Sequence, residues 1–256
     1  MYVLEKGNYR PVSVSPTISK FVERAIFDQL TNFFNFYFHP SLSAFRKGFG
    51  CQTALLQIIE DWKKTLDENK YIAAILMDLS KAFDCLLHDL ILLKLEAYGL
   101  SEKSINLLNS YLSGRKQCVK VKNSCSSFET VHKGVPQGSI LGPILFKFLL
   151  MTSFTLDFST IYNYADDNTL SYADYDLNNV ISKLESDSQK MLDWFANNLM
   201  QANPDKFQAL AIGKNTFKEQ ICFDLKGSKI KCEEHVKLLG VTIDYELKNL
   251  LVNLMF

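Results

Sequence analysis

The sequence has no excess of charge of either sign and lacks the cysteine spacing of a zinc site. Its 256 residues include 28 Lys and Arg against 28 Asp and Glu. Dedicated nucleic-acid-binding proteins usually carry a basic excess, so the neutral total argues mildly against that class, although it can contain a local basic groove. None of the six cysteines forms a Cys-x-x-Cys pair or has a His partner at ligand spacing, which argues against a zinc site.

The sequence also lacks a leading apolar segment of the signal-peptide type and a long uninterrupted hydrophobic run. The absence of such a leader predicts an intracellular setting with free thiols. The most apolar stretch, residues 140–156, is interrupted by Gly142, Pro143 and Lys147, so we expect a buried helix rather than a membrane span. With 47% hydrophobic and 22% charged residues, the composition is that of a globular protein with a sizeable core.

Hydrophobic periodicity predicts helices and strands without a regular β-α-β alternation, which indicates the α+β class. Apolar residues at helical spacing predict helices over 51–69, 86–98, 101–112 and 177–199. Short apolar runs predict strands at 71–79, 116–122, 127–133, on both sides of 165–167, and at 207–212, 221–225, 228–232 and 236–243.

Three aspartates lie at the ends of predicted strands. Asp78 ends the buried strand, and Asp166 and Asp167 lie at the tip of the predicted hairpin. Neighbouring strands can bring three such carboxylates together, where they repel one another unless a cation holds them. Mg²⁺ prefers oxygen ligands and shares its shell with phosphates, and two such ions about 3.5–4 Å apart suit nucleotidyl transfer. The alternative interpretation is that the two hairpin aspartates only form a solvated turn.

A loop rich in glycine and proline lies between Asp78 and the hairpin. It spans residues 134–143 with the sequence GVPQGSILGP. Glycines allow the backbone to pass close to a ligand just before the apolar helix. The alternative is a loop that only caps this helix.

Seven segments in order resemble the motifs of the reverse transcriptases of non-LTR (LINE-type) retrotransposons. They are NYRPVSV (8–14), FRKG with CQTAL (45–48 and 51–55), MDLSKAFD (77–84), GVPQGSILGP (134–143), YADD (164–167), NPDK (203–206) and LLGVTID (238–244). The resemblance implies an α+β right-hand polymerase fold, in which helices back an antiparallel palm sheet, with partial fingers and no thumb. It implies partial fingers over 1–70, a palm with inserted fingers elements over 71–235, and motif E with the start of the thumb connection over 236–256.

The resemblance also implies the residues of the catalytic centre. Asp78, Asp166 and Asp167 would bind two Mg²⁺ ions, with Mn²⁺ as an alternative, and the backbone carbonyl of Leu79 would help hold the nucleotide-bound ion. The ring of Phe83, five residues after Asp78, would leave no room for a 2′-OH and so select deoxynucleotides. The alternative role for Phe83 is simple core packing.

Four further residues receive roles from the same resemblance, three in substrate binding and one, Lys206, in catalysis. Gln137, with Gly138 beside it, would contact the incoming nucleotide or the template near the sugar; a loop-stabilising hydrogen bond is the alternative for Gln137. Arg10 would grip the triphosphate, because a guanidinium fork suits phosphate oxygens, with a surface salt bridge as its alternative. Lys206 would act as general acid for the pyrophosphate or stabilise its charge, and a solvated surface lysine is the alternative.

The resemblance implies an RNA-directed DNA polymerase that adds dNTPs to a primer 3′-OH. Its partners would be an RNA template and a DNA primer, without a membrane, at a nuclear or cytoplasmic location. Residues 151–153 replace a polar Asn-Asp that the family tends to carry, so an inactive fragment that keeps only nucleic-acid or nucleotide binding is the alternative. An unrelated metal phosphohydrolase also uses paired carboxylates, but it needs neither a sugar-facing aromatic residue nor the 134–143 loop.

Overall fold

The structure, a computed structural model, describes residues 12–35, 37–46, 48–80, 82–155, 159–214, 216, 221–248 and 251–252. Its contacts group the chain into two compact units. The first unit comprises residues 1–37 and 81–149, and the second comprises residues 38–80 and 150–256. Both units join segments that are distant in sequence, whereas the predicted boundaries after residues 70 and 235 follow chain order. The assignment of fingers and palm to these segments stays a prediction.

The second unit is built on an antiparallel sheet with β1 (Tyr71–Ser80) at its centre. On one side β1 pairs with β7 (Asp167–Asp174), which in turn pairs with β6 (Thr160–Tyr164). On the other side β1 pairs with β8 (Gln201–Ala202) and β9 (Gln208–Ile212). Residues 72–77 of β1 are all buried, as expected for a continuous apolar run in a central strand that is covered on both faces.

Two helices pack against this sheet and contribute to the core of the second unit. Helix α2 (Cys51–Asp67) buries Ile58 and Trp62 in a hydrophobic cluster that includes residues of β1 and β9. The long helix α7 (Leu177–Asn197) contacts β1 and β7. Both helices were predicted from the spacing of their apolar residues, and both begin and end within two residues of the predicted limits.

The strands that follow form two separate hairpins. The first consists of β10 (Cys222–Leu225) and β11 (Ser228–Lys231). The second consists of β12 (His235–Leu238) and β13 (Val241–Asp244), and β13 also pairs with β14 (Leu251–Val252). The prediction of a single strand over 236–243 is therefore wrong. Leu239 and Gly240 have φ values of 49° and 83°, the positive values that a tight two-residue hairpin turn requires, and an apolar Leu in this position concealed the turn.

The first unit is mainly helical. It contains α1 (Thr17–Phe34), α3 (Ala82–Cys85), α4 (His88–Ala97), α5 (Glu102–Leu112) and the start of α6 (Leu141–Met151). Helices α4, α5 and the apolar helix were predicted from the sequence, and α1 was not. Helix α1 buries Ile26, Leu30 and Phe34 at helical spacing, so the signal for it is present in the sequence.

The apolar stretch that the sequence singled out forms α6 and a following 3-10 turn over Thr152–Thr155. Phe146 and Phe148 of this helix are fully buried, which confirms the prediction of a buried helix. None of the described helices combines the length and the apolar character that crossing a membrane requires.

A two-stranded ribbon (residues 115–133) connects α5 to the glycine-rich loop of the first unit. At its base β2 (Lys116–Gln117) pairs with β5 (Glu129–Thr130), and near its tip β3 (Lys120–Val121) pairs with β4 (Ser124–Cys125). Between these ladders Ser126 donates its amide to the Val119 carbonyl and accepts the Val119 amide on Oγ, both at 2.9 Å. The two strands predicted here are therefore present as shorter, interrupted pieces, and β4 lies before the predicted start of the second strand at residue 127.

Candidate functional site

The hairpin that carries Asp166 is closed by a strained turn. Tyr164 and Asp167 are paired across β6 and β7, which leaves Ala165 and Asp166 as the two turn residues. Ala165 has a φ of 56°, a left-handed conformation that costs a residue with a Cβ about 1–2 kcal/mol. Such strain persists only where the surrounding structure holds the backbone in place.

Two buried asparagines hold this turn. Asn163 donates from Nδ2 to the Ala165 carbonyl (3.1 Å) and to Asn168 Oδ1 (2.8 Å). Asn168 donates from its own Nδ2 to the Asp166 carbonyl (3.0 Å). Each asparagine is only 3% exposed, so their amides form a buried network under the turn. Neither residue was predicted, because each looks like an ordinary polar strand residue in the sequence.

The strand register places two of the predicted metal ligands opposite each other. Asp78, near the end of β1, pairs with Asp167 at the start of β7. Directly opposed residues of an antiparallel pair project from the same face, with Cβ atoms about 4.5–5.5 Å apart, and like charges there are destabilising. Asp78 and Asp166 are half-buried and Asp167 is exposed. The Asp78 and Asp167 side chains therefore project from the same face of the sheet, where β1 ends and β7 begins.

The carboxylates at the end of β1 and at the hairpin suit a metal ion that is also bound by substrate oxygens. They suit an ion held only by protein ligands less well. Among the described residues, no three Asp, Glu, His or Cys side chains lie close enough to hold a metal. In the same part of the chain neither Asp78 nor Asp166 forms an ion pair with Lys or Arg. Mg²⁺ commonly binds through one or two carboxylates and completes its shell with water and substrate phosphates. The opposed pair of Asp78 and Asp167 has this character.

Lys206 and Leu79 lie at the same end of β1 as Asp78. Leu79 is buried and pairs with Ala202 of β8, whereas Leu76 pairs with Gln208 of β9. The Pro204–Lys206 turn between these two pairings contacts β1. The side chain of Lys206 is exposed and makes no ion pair with any described residue, so its ammonium group is available to a ligand at this end.

In the first unit, the chain that follows Asp78 is bound to the glycine-rich loop through its backbone. The Gly134 amide donates to the Leu86 carbonyl (2.6 Å), and the Val135 amide donates to the Phe83 carbonyl (3.0 Å). Gly134 has a φ of 83°, and a Cβ on it would lie 2.9 Å from the backbone of Asp84. Glycine is therefore required at position 134 both by conformation and by the close approach of the two segments.

Phe83 is half-buried and packs on the apolar helix. Its ring centroid lies 4.9 Å from that of Phe146, with an angle of 38° between the ring planes. This contact anchors one side of the Phe83 ring in the core, as the packing alternative requires, and leaves part of the ring exposed. The selection of deoxynucleotides by Phe83 stays a prediction.

Gln137 and Gly138 are held by contacts within the first unit. Gln137 donates from Nε2 to both carboxylate oxygens of Asp84 (3.2 and 3.3 Å), and its carbonyl accepts from the Ser13 amide (2.8 Å). Gly138 is exposed with a φ of 107°, and a Cβ there would lie 3.2 Å from the Ser13 carbonyl oxygen. The hydrogen bonds of Gln137 therefore stabilise the loop, and its contact with a nucleotide or template stays a prediction.

The helix that follows the loop has an unusual N-terminal cap, which the sequence did not reveal. The carboxylate of Glu23, a residue of α1 that is only 1% exposed, accepts on Oε2 from the amides of Ile140 (2.6 Å) and Leu141 (3.2 Å). Ser139 Oγ accepts from the Gly142 amide (3.0 Å). A carboxylate at a helix N-terminus satisfies free amides and interacts favourably with the helix dipole, so Glu23 fixes where α6 begins.

The predicted site residues within the described part of the chain thus fall into two groups, and one further predicted residue lies outside that part. The three aspartates, Leu79 and Lys206 belong to the second unit, and Phe83, Gln137 and Gly138 belong to the first. Arg10 lies outside the described residues, so its role stays a prediction.

Comparison with known proteins connects this geometry to a family. The family model described as reverse transcriptase (RNA-dependent DNA polymerase) matches residues 4–243. The chain is 26% identical to a probable RNA-directed DNA polymerase from transposon BS of Drosophila melanogaster, over 94% of this chain and 28% of that protein. It is 25% identical to the RNA-directed DNA polymerase from mobile element jockey of Drosophila funebris, over 95% of this chain and 28% of that protein. The chain thus spans less than a third of the length of these relatives.

A solved structure supports the fold. Telomerase from Candida tropicalis, in complex with a TWJ fragment of telomeric RNA, superimposes with a TM-score of 0.60 at 13% identity. The match covers 94% of this chain and 38% of that one. At this identity the likeness concerns the fold alone, and it confirms the predicted α+β polymerase fold with its antiparallel sheet. The family match over most of the chain confirms the resemblance stated from the motifs, and the chain belongs to the reverse transcriptase (RNA-dependent DNA polymerase) family.

Proposed function

We propose that this chain is the polymerase core of an RNA-directed DNA polymerase from a non-LTR retrotransposon. It adds dNTPs to the 3′-OH of a DNA primer on an RNA template. The observation that carries the proposal is the direct pairing of Asp78 with Asp167 beside the strained turn of Asp166. Residues 1–70 and 71–235 are assigned to partial fingers and to a palm with inserted fingers elements, and 236–256 to motif E and the start of the thumb connection. A nuclear or cytoplasmic location stays a prediction.

The proposed cofactor is a pair of Mg²⁺ ions, for which Mn²⁺ can substitute. Asp78, Asp166 and Asp167 would hold them together with the phosphates of the incoming nucleotide. When bound, two such ions stabilise the attacking and the leaving oxygen of an in-line displacement. The buried amides of Asn163 and Asn168 support this role, because they fix the turn in one conformation before substrate arrives.

Other residues of the chain position the substrate and move a proton. The exposed ammonium group of Lys206 lies at the Asp78 end of β1 and donates a proton to the leaving pyrophosphate oxygen. The exposed part of the Phe83 ring excludes a 2′-OH, and Leu79 contributes its backbone carbonyl. Gln137 and Gly138 contact the nucleotide or the template, and Arg10 binds the triphosphate.

A second candidate is a chain that binds nucleic acid or nucleotide without turnover. The observation that favours it is the engagement of the Gln137 amide by Asp84, because this Nε2 group is then not available to orient a bound nucleotide for the reaction. The two candidates share every motif and differ only in catalysis.

Primer extension on poly(rA)/oligo(dT) with Mg²⁺ or Mn²⁺ separates the two candidates. We expect extension by the wild-type chain and its loss by at least about a hundredfold in Asp166→Ala, because a metal site supplies several kcal/mol of charge stabilisation. The control is Asp67→Ala, an exposed residue of α2, which should extend normally. A wild-type chain that is folded by circular dichroism but does not extend the primer would favour the binding-only candidate.

A further inference from the structure

The ribbon is the most basic segment of a chain that is neutral overall. Its 19 residues contain five cations, namely Arg115, Lys116, Lys120, Lys122 and Lys133, and one carboxylate, Glu129. The ribbon therefore carries a net charge of +4, while the whole chain balances 28 positive against 28 negative residues. Such a local excess within a neutral total is the electrostatic pattern of a nucleic-acid contact.

Both faces of the ribbon are open. Every residue of its four short strands is exposed, and three apolar side chains are more than half exposed: Val119 at 62%, Val121 at 63% and Phe128 at 69%. A two-stranded hairpin without a covered face is at best marginally stable in water. A partner that lies along the ribbon would therefore stabilise it as well as bind it.

The lysines of the ribbon are not paired with carboxylates in the described part of the chain. Within the described part of the chain, Lys116, Lys120, Lys122 and Lys133 form no ion pairs. Only Arg115 is engaged, with its guanidinium 4.9 Å from the centroid of the Tyr111 ring at the base. The other cations run from the base to the tip turn, where Lys122 has a φ of 54°. Because β2 and β3 are separate strands and Lys122 lies in the tip turn, residues 116–122 span at most roughly 20 Å, the rise of about six nucleotides or fewer.

The base of the ribbon leads directly into the candidate substrate loop of the first unit. The Val131 amide donates to the Arg115 carbonyl (2.8 Å) and closes the ladder. Gly134, which is fixed against the chain around Asp84, follows three residues later. A polyanion seated along the ribbon would therefore continue towards Gln137 and Gly138.

We propose that the ribbon binds the phosphodiester backbone of a nucleic acid, with Lys116, Lys120 and Lys122 as its phosphate contacts. The inference rests on the proposed function, which it deepens by naming where this chain holds its template or its template–primer duplex. A phosphodiester chain matches the observations because it offers regularly spaced negative charges along the ribbon. It also offers bases that can stack on an exposed aromatic side chain such as Phe128.

The test is a binding measurement that needs no nucleotide incorporation. Fluorescence anisotropy follows a labelled single-stranded RNA and a labelled RNA–DNA hybrid over a series of salt concentrations. The test variant carries Lys116→Glu, Lys120→Glu and Lys122→Glu. The matched control carries Lys229→Glu, Lys231→Glu and Lys237→Glu, three exposed lysines on strands β11 and β12 of the second unit. Each replacement changes the charge by two units, so both variants lower the net charge equally.

We expect the ribbon variant to bind at least about tenfold more weakly at 0.1 M salt, because each lost phosphate contact lowers the slope of log K against log salt by about 0.7–0.9. Its slope should therefore fall by about 2–3, while the control variant keeps the wild-type slope. Loss with the RNA alone identifies the single-stranded template as the ligand, and loss with the hybrid identifies the template–primer duplex.

Three results would overturn the inference: equal weakening in both variants, no weakening in the ribbon variant, or no binding by the folded wild-type chain. A chain that binds through the ribbon but fails to extend a primer supports the inference and contradicts only the polymerase proposal. Circular dichroism of both variants verifies that the fold is retained.

Discussion

The buried carboxylate of Glu23 leads to a quantitative prediction about stability. Its Oε2 is the acceptor for the amides of Ile140 and Leu141, at 2.6 and 3.2 Å, and a hydrogen bond to a charged group contributes about 1.5–3 kcal/mol. Its Oε1 has no hydrogen-bond partner in the described part of the chain, and the desolvation of that oxygen offsets part of the gain. We therefore expect Glu23→Ala to lower the free energy of unfolding by about 3–4 kcal/mol.

Urea denaturation followed by circular dichroism measures this loss. Glu23→Gln keeps one acceptor oxygen but loses the charge at the helix N-terminus, so its cost should be about 1–2 kcal/mol. Glu96→Ala, which removes an exposed carboxylate from helix α4 of the same unit, is the control and should change stability by less than about 0.5 kcal/mol. A Glu23→Ala variant as stable as this control would show that the Glu23 carboxylate does not stabilise the fold. Hydrogen exchange at Ile140 and Leu141 should also accelerate in Glu23→Ala.

Three other predictions concern pH, substrate choice and thiol reactivity. Burial alone would raise the pKa of Asp187, but hydrogen bonds from Ser159 and two lysines lower it below its usual value. The stabilisation that Asp187 provides is thus present above about pH 4 and lost as the pH falls through the folded-state pKa, so the difference in unfolding free energy between wild type and Asp187→Asn should shrink below pH 4. Phe83→Val should raise the incorporation of ribonucleotides relative to deoxynucleotides by about tenfold or more in competitive primer extension, and an unchanged ratio would contradict a sugar-facing ring. Burial raises the pKa of the Cys232 thiol to about 12, so at pH 8 a thiol reagent should label the exposed Cys51 well before Cys232; equal rates would contradict this burial.

The elements that the sequence predicted well are those whose patterns are local. The β1 strand and the hairpin around Asp166 follow from short apolar runs that end in acidic residues, and α2 and α7 follow from apolar residues at helical spacing. The relation between Asp78 and the hairpin could be anticipated because neighbouring strands of one sheet bring their ends together. The register, which pairs Asp78 with Asp167, could not be predicted from the sequence, because it is set only when the strands pair.

The features that escaped prediction depend on contacts between distant residues. Glu23 lies 117 positions before the amide of Ile140 that it caps, and no local pattern connects them. Asn163 and Asn168 look like ordinary polar residues of an alternating strand, and their role under the turn emerges only when β6 and β7 pair. A loop-stabilising hydrogen bond was one of the two roles predicted for Gln137, but its partner, Asp84, lies 53 positions away and could not be predicted.

In the proposed function, Asp78 and the hairpin aspartates form one metal-dependent centre. The most direct test is the rate of single-nucleotide addition as a function of Mg²⁺ concentration for wild type, Asp78→Asn and the control Asp67→Asn. We predict a Mg²⁺-dependent rate in the wild type and the control, and a fall of at least about a hundredfold in Asp78→Asn at every Mg²⁺ concentration. An Asp78→Asn variant that keeps the wild-type rate and Mg²⁺ dependence would contradict a metal-binding role for Asp78.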